Sequence, residues 1–450
     1  MKKKIILFII IICFIILYLL FYPFNNKKIK YVFLFIGDGM NLNHVEMTEI
    51  YNNVVNNTEL EKQKELSFSK FETIGLRKNY DKYNYVPDSA SSATALSSGF
   101  LTETGMLNMS SDGEKKEPIT YSLKEKRKMK IGIVTTVPIT HATPAAFYAY
   151  NNSRNNEYEI ANYLVESNFD YFGNGGFSLD SDKLLDIENK LKKNDYKLVK
   201  TKEKIEKLNS KSGKVVAINP NNYNGTTNYY IDSDTHDLQL KDFVRKGIDV
   251  LDNKNGFFMM VESGMIDYAS HNNDAKGVIS EVNALDEAVD EALKFYNNHP
   301  NETLIIVTGD HETGGLSLGN SSGFGFELDK LKYQKVTFSK LKTYLNLHKE
   351  FKDILNYLDN NFGIGNDAYK FFLSVENQNK LQDYYNNQNI DGFINLVKEI
   401  IYSETRIGWS SDNHTASPVV VYSKGINSYQ FGGKYTSVEF NQKLRKSLDV

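Results

Sequence analysis

The sequence predicts an α/β fold, a three-layer α/β/α sandwich with a mostly parallel central sheet and a helical insertion before the final strand. Three observations carry this expectation. Apolar, β-rich runs recur at 31–36, 130–137, 256–263, 302–310 and 417–425. Helical patterns lie between them: in "EVNALDEAVDEALKFY" the residues Val282, Leu285, Val289, Ala292 and Tyr296 share one face, and "LKDFVRKGIDVL" behaves similarly. The strand runs are continuously apolar rather than alternating, the pattern of a sheet covered on both faces.

The chain opens with "MKKK" and then an unbroken apolar or aromatic run from Ile5 to Tyr22. As a helix this run would be roughly 27 Å long, close to the hydrocarbon thickness of a bilayer. "PFNNKKIK" follows it without the small residues of a cleavage site, so residues 1–30 are expected to be an uncleaved signal anchor and linker. That anchor implies an extracytoplasmic protein, periplasmic or at the cell surface, held to the membrane by residues 5–22. Cys13 is the only cysteine, so the fold has no intrachain disulfide. A formal net charge of -3 gives no broad basic surface for nucleic acid.

Residues 31–450 are expected to form one catalytic domain, with the insertion at about 325–400. The insertion is rich in Lys, Asn, Tyr and Phe and carries the helical stretches "DILNYLDNNF" and "IDGFINLVKEIIY". Its place in the chain predicts a cap or subunit contact at one edge of the site.

In open α/β sheets, ligands bind beyond the carboxyl ends of the strands. Four of these strands run into polar residues there: Asp38, His141 with Thr143, Glu262, and Asp310 with His311. Asp267 and His271 are four apart, so a helix would project both from one face toward one metal. His414 stands just before another strand. Singly, each has an ordinary structural reading. Together, carboxylates that repel one another call for cations; mixed N and O donors suit Zn²⁺, and an oxygen-only subset suits Mg²⁺. The stretch "VPDSASSATALSSG" puts Ser89 after Asp88 and follows it with small residues, leaving room for a close approach to the serine.

In "GDGM", "PDSASSATA", "HATPAAFYAYNNSR", "VESGMIDYASH", "TGDHETGG" and the final "NHT", in that order, the sequence resembles the alkaline phosphatase family. The resemblance implies hydrolysis of phosphate monoesters through a covalent phosphoserine on Ser89. It implies one zinc on Asp267, His271 and His414, and a second on Asp38, Asp310 and His311. A third ion, usually magnesium, would lie on Asp38, Thr143 and Glu262. Arg154 matches the arginine that clamps phosphate, and Asp88 the acid that orients it. Family resemblance also favours a homodimer. The sequence departs from some family members at His141, where they have aspartate, and at Tyr268, where they have lysine or histidine. His141 could orient a ligand, bind an ion through water or ligate it directly, of which the first is expected, and Tyr268 is expected to support the site. His44, His236, His299 and His348 fall outside the motifs and are assigned to surface or packing.

Two other readings compete. A phosphodiesterase or sulfuryl transferase could use the same metal core, but the "DSASSATA" helix is unlike a sulfatase motif, and Arg154 suits a doubly charged monoester. A non-catalytic, membrane-tethered binding protein would be expected to lack ligands, and none is missing.

Overall fold

The strands form where the sequence is continuously apolar. The sheet is built from β1 (Tyr31–Gly37), β2 (Thr73–Lys78), β3 (Lys130–Thr135), β4 (Tyr171–Asn174) and β5 (Tyr196–Val199). It continues with β6 (Lys214–Ile218), β7 (Phe257–Ser263), β8 (Thr303–Gly309), β9 (Val419–Gly425) and β10 (Gly433–Thr436). This computed structural model describes residues 28–450 apart from 235, 322, 324, 348, 349, 366 and 368. The expected anchor at 5–22, with Cys13, lies outside the described residues. Among the described residues no helix is long and apolar enough to cross a membrane.

The ten strands lie in the order β10-β2-β9-β8-β1-β7-β3-β4-β6-β5. From β8 to β5 every neighbouring pair is parallel. β9 runs antiparallel to both β8 and β2. β10, a short edge strand that the sequence did not signal, pairs parallel with β2. Successive side chains of a strand point to opposite faces. In β1, Phe33 and Phe35 therefore enter one core, and Val32, Leu34 and Ile36 enter the other. Helices cover both faces, which makes the three layers.

The helix Leu240–Leu251 matches the expected stretch, and the long apolar-faced pattern becomes Ala275–Asn298. The insertion contains helices Phe338–Leu347, Phe351–Phe362, Val375–Asn386 and Ile390–Thr405, the last running beyond residue 400. It has no core of its own. Leu341, Leu358, Phe393 and Val397 join the same apolar cluster as Phe33 and Phe35.

Two small antiparallel ribbons close the insertion at its base. Leu316–Leu318 pairs with Ile407–Trp409, and Glu312–Thr313 pairs with His414–Thr415. Thr313 stands opposite His414 in that register. Residues a hundred positions apart are thereby fixed beside each other.

Candidate metal centre and active site

The site lies at the carboxyl ends of β1, β3, β7 and β8, beside the helix Ser89–Ser98. Every residue of that helix from Ser89 to Ser97 is buried. A helix enclosed on all sides has no solvent face to fill, so its small residues reflect close packing. Asp88 caps its N-terminus by accepting from Ser91 N at 3.0 Å. Gly99 ends it in the left-handed region, and Asn441 donates to the carbonyls of Leu96 and Ser97. Ser89 Oγ lies 3.1 Å from His311 Nε2.

The turn after β1 places Asp38. Gly39 there has φ +72°, and a Cβ on it would come 2.9 Å from Asp267 Oδ1 and 2.7 Å from Thr313 Oγ1. Only glycine meets both the dihedral and the space. Its N–H donates to Asp310 Oδ1 at 3.1 Å, which ties the β1 and β8 turns together.

Three groups of side chains bring one donor atom each within 4.8 Å of one another: Asp267, His271 and His414; Asp38, Asp310 and His311; and Asp38, His141 and Glu262. The first two are the sets implied by the sequence. In the third, a ring nitrogen of His141 comes within this range, nearer the carboxylates than a purely supporting role required. Thr143 is also present, its Oγ1 donating to Asp38 Oδ2 at 3.2 Å.

The donor atoms fit divalent cations. His271 Nδ1 is 2.6 Å from the Asp412 carbonyl and His414 Nδ1 is 2.8 Å from the Pro87 carbonyl, so each Nδ1 carries the proton and donates it. The two Nε2 atoms are left facing each other at 3.2 Å, with Asp267 Oδ2 3.3 Å from His271 Nε2. Two facing lone pairs need a proton or a metal ion between them and the carboxylate. In the second and third groups, Asp38 Oδ1, Asp310 Oδ2 and Glu262 Oε1 are buried and make no hydrogen bond. Buried acceptors are rarely left that way unless something positive satisfies them.

The electrostatics say the same. Burial, with Asp310, Asp267 and Glu262 nearby, pushes Asp38 well above the usual carboxylate range. Burial raises Glu262 to about 8 although Thr135 donates to it. Burial alone would also raise Asp267, but its hydrogen bond with His271 and the surrounding imidazoles outweigh this and lower it. The same hydrogen bond raises His271 to about 9. Burial pushes His311 down to about 4, so its ring is neutral near neutral pH. Thr313 Oγ1 lies 3.2 Å from His311 Nδ1 and donates to Asp267 Oδ1 at 2.5 Å, which fits a proton on Nδ1 and a lone pair on Nε2.

Arg154 donates from Nη1 to Asp88 Oδ2 at 3.0 Å, and its Nη2 is 2.9 Å from His141 Nε2. Tyr268 sets its ring edge-on to His141, centroids 6.2 Å apart. His44 is buried with Nε2 3.1 Å from Ser270 Oγ, and His299 stacks on Phe295. Both are packing residues, as expected. His236 is exposed, and His348 lies outside the described residues.

Motif reading missed Thr135, Thr313 and Arg77. Arg77 comes from β2, is fully buried, and donates to the carbonyl oxygens of Gly309 and Asp310 and to Ser437 Oγ. Nothing near it in sequence signals a site. An arginine at an inward position of an alternating strand was the one available clue.

An α/β sheet with buried carboxylate and imidazole clusters beside a helix-capped serine defines a metal-dependent hydrolase. The family model for alkaline phosphatase matches residues 29–173 and 162–450. Alkaline phosphatase 3 of Bacillus subtilis is 28% identical over 441 residues, covering 94% of this chain and 90% of that protein. Alkaline phosphatase 4 of the same organism is 29% identical over 418 residues, 91% of this chain and 86% of that one. The crystal structure of a cold-active alkaline phosphatase from Shewanella sp. superposes with a TM-score of 0.83 at 25% identity, covering 93% of this chain and 99% of that one. The chain belongs to the alkaline phosphatase family and is a metal-dependent enzyme that hydrolyses phosphate monoesters.

Proposed function

We propose that hydrolysis proceeds through a phosphoserine on Ser89. The observation that carries this is the position of Ser89 Oγ, at the N-terminus of a buried helix and 3.1 Å from His311 Nε2 of the second donor group. Ser89 Oγ attacks phosphorus in line, the ester P–O bond breaks, and the alcohol departs with a proton. Water then attacks the phosphoserine, the Oγ–P bond breaks, and inorganic phosphate and the free hydroxyl return. The helix N-terminus favours the negative charge that gathers there.

Asp88 holds Arg154 through Nη1, leaving N–H groups of the planar fork to bind phosphoryl oxygens. Asp267, His271 and His414 would hold one zinc ion, and Asp38, Asp310 and His311 a second. Asp38, Thr143 and Glu262, with His141 beside them, would hold the third, magnesium. Bound there, such cations neutralise the carboxylates, acidify hydroxyl groups and screen phosphoryl charge. Replacing Ser89 with alanine should abolish the acid-stable phosphoenzyme and most turnover while leaving zinc content intact. A phosphoenzyme in Ser89→Ala would assign the nucleophile elsewhere.

Residues 5–22 would anchor the enzyme outside the cytoplasm, where esters that cannot cross a membrane are available. The apolar length of that run supports the reading. Activity recovered in the soluble fraction of cells expressing the full chain would remove it.

A further inference from the structure

A cleft of about 620 Å³ adjoins the candidate metal centre. Its walls come from three places. The helix Met265–His271 supplies Met265, Tyr268 and His271; the hairpin of Asn222–Tyr223 and Thr226–Thr227 supplies Tyr223; and the insertion helix Phe338–Leu347 supplies Lys340 and Thr343. His271 belongs both to the first donor group and to the cleft, so the two are continuous.

Tyr223 is 86% exposed, yet its backbone is fixed. The hairpin turns through Asn224 and Gly225, both with positive φ. Gly225 accepts from Gly176 N at 2.8 Å, and a Cβ on it would meet the Phe177 backbone at 2.9 Å. An aromatic ring carried on a fixed backbone and left uncovered beside an active site is a surface on which a planar group can stack. Tyr268 and Met265 provide further ring and thioether surface within the same cleft.

The direction of the reaction selects the occupant. Ser89 faces His311 of the second donor group, whereas the cleft opens at His271 of the first. In-line attack from Ser89 expels the leaving oxygen on the side away from Ser89. We infer that this cleft is a leaving-group subsite for monoesters whose alcohol carries a planar aromatic ring, nucleoside monophosphates being one such class, with Tyr223 as a specificity-determining residue. The inference rests on the phosphoserine reading, which sets the direction of departure.

The test compares phosphate release from adenosine 5′-monophosphate and from glycerol 3-phosphate in the zinc- and magnesium-loaded full-length enzyme. Wild type should favour the nucleotide in kcat/KM. Tyr223→Ala should reduce that preference by on the order of fivefold to tenfold, with glycerol 3-phosphate turnover unchanged. Tyr223→Phe should restore it, and adenosine alone should inhibit glycerol 3-phosphate hydrolysis competitively in wild type and Tyr223→Phe but weakly in Tyr223→Ala. An unchanged preference in Tyr223→Ala, or an equal loss on both substrates, would overturn the subsite. A phosphoenzyme absent from wild type during turnover of both esters would instead overturn the phosphoserine reading, and the inference with it.

Discussion

Arg154 Nη2 lies 2.9 Å from His141 Nε2, and because a guanidinium has only donors, the imidazole must accept. The ring proton then sits on Nδ1, which is buried and makes no hydrogen bond. Burial, reinforced by the charge of Arg154, pushes His141 down to about 3, consistent with this neutral form. His141 therefore stands between Arg154 and the carboxylates of Asp38 and Glu262.

This position predicts that His141 would influence an ion held by Asp38 and Glu262. With Nε2 accepting from Arg154 and the proton on Nδ1, neither ring nitrogen offers a lone pair to an ion, so replacing the ring with aspartate adds a carboxylate donor and a negative charge beside Asp38 and Glu262, which favours Mg²⁺. His141→Asp should bind Mg²⁺ about tenfold or more tightly in equilibrium dialysis. Unchanged affinity would place the ring outside the ion's reach.

Arg77 should matter to metal retention although it touches no ligand atom. It is buried without a carboxylate partner among the described residues, and its charge rests on the carbonyl oxygens of the Gly309–Asp310 turn. Groups that orient metal ligands typically change affinity about 10- to 100-fold when removed. Arg77→Ala should lose zinc to a chelator correspondingly faster, and Arg77→Lys should recover only part, because an ammonium cannot span the same acceptors. A variant that keeps wild-type zinc affinity but melts lower would reduce Arg77 to a folding role.

Metal affinity of the apoprotein should rise with pH. Glu262 titrates at about 8 and His271 at about 9, and both must lose a proton to act as ligands. Below those values each competing proton weakens binding by about tenfold per pH unit, and above about pH 9 the dependence flattens. Titration calorimetry in buffers of different ionisation enthalpy would count the protons released. Binding without proton release at pH 7 would contradict the assignment of these ligands.

Glu281 predicts a stability effect away from the site. It is buried, accepts from Tyr230 N at 2.6 Å, and burial raises it from 4.5 to about 8. Between those values the folded protein holds a proton that the unfolded chain has released, so this group's contribution falls as pH rises and is level above about 8. Glu281→Gln cannot ionise, and its Tm should gain on wild type steadily from about pH 5 to pH 8. A constant difference across that range would show that Glu281 ionises normally.

Much of the fold was readable because its signals are local. The runs now seen as β1, β3, β7, β8 and β9, and the helices at 240–251 and 275–298, were expected within a few residues, since a continuous apolar run or a 3.6-residue stripe belongs to one segment, whereas the helix at 89–98 carries no such stripe and was expected from the resemblance. β2, β4, β5, β6 and β10 were not anticipated: strands of four to six residues carry too little pattern, and β10 also sits at a half-exposed edge. The residues of the three donor groups were legible because they fall in the short motifs that carry the family resemblance. Thr135, Thr313 and Arg77 were not, because each acts through a contact with a residue far along the chain.

The sequence by itself determined the layers, the positions of the carboxylates and imidazoles along the strands, and the family to which they belong. Tertiary structure alone decided how they converge. The pairing of Thr313 with His414 brings His414 to stack on His311 at 3.6 Å, and the insertion helix closes a cleft over His271. Periodicity and motif spacing act over a few residues. Register between distant ribbons depends on the whole packed core, and that is where this site acquires its geometry.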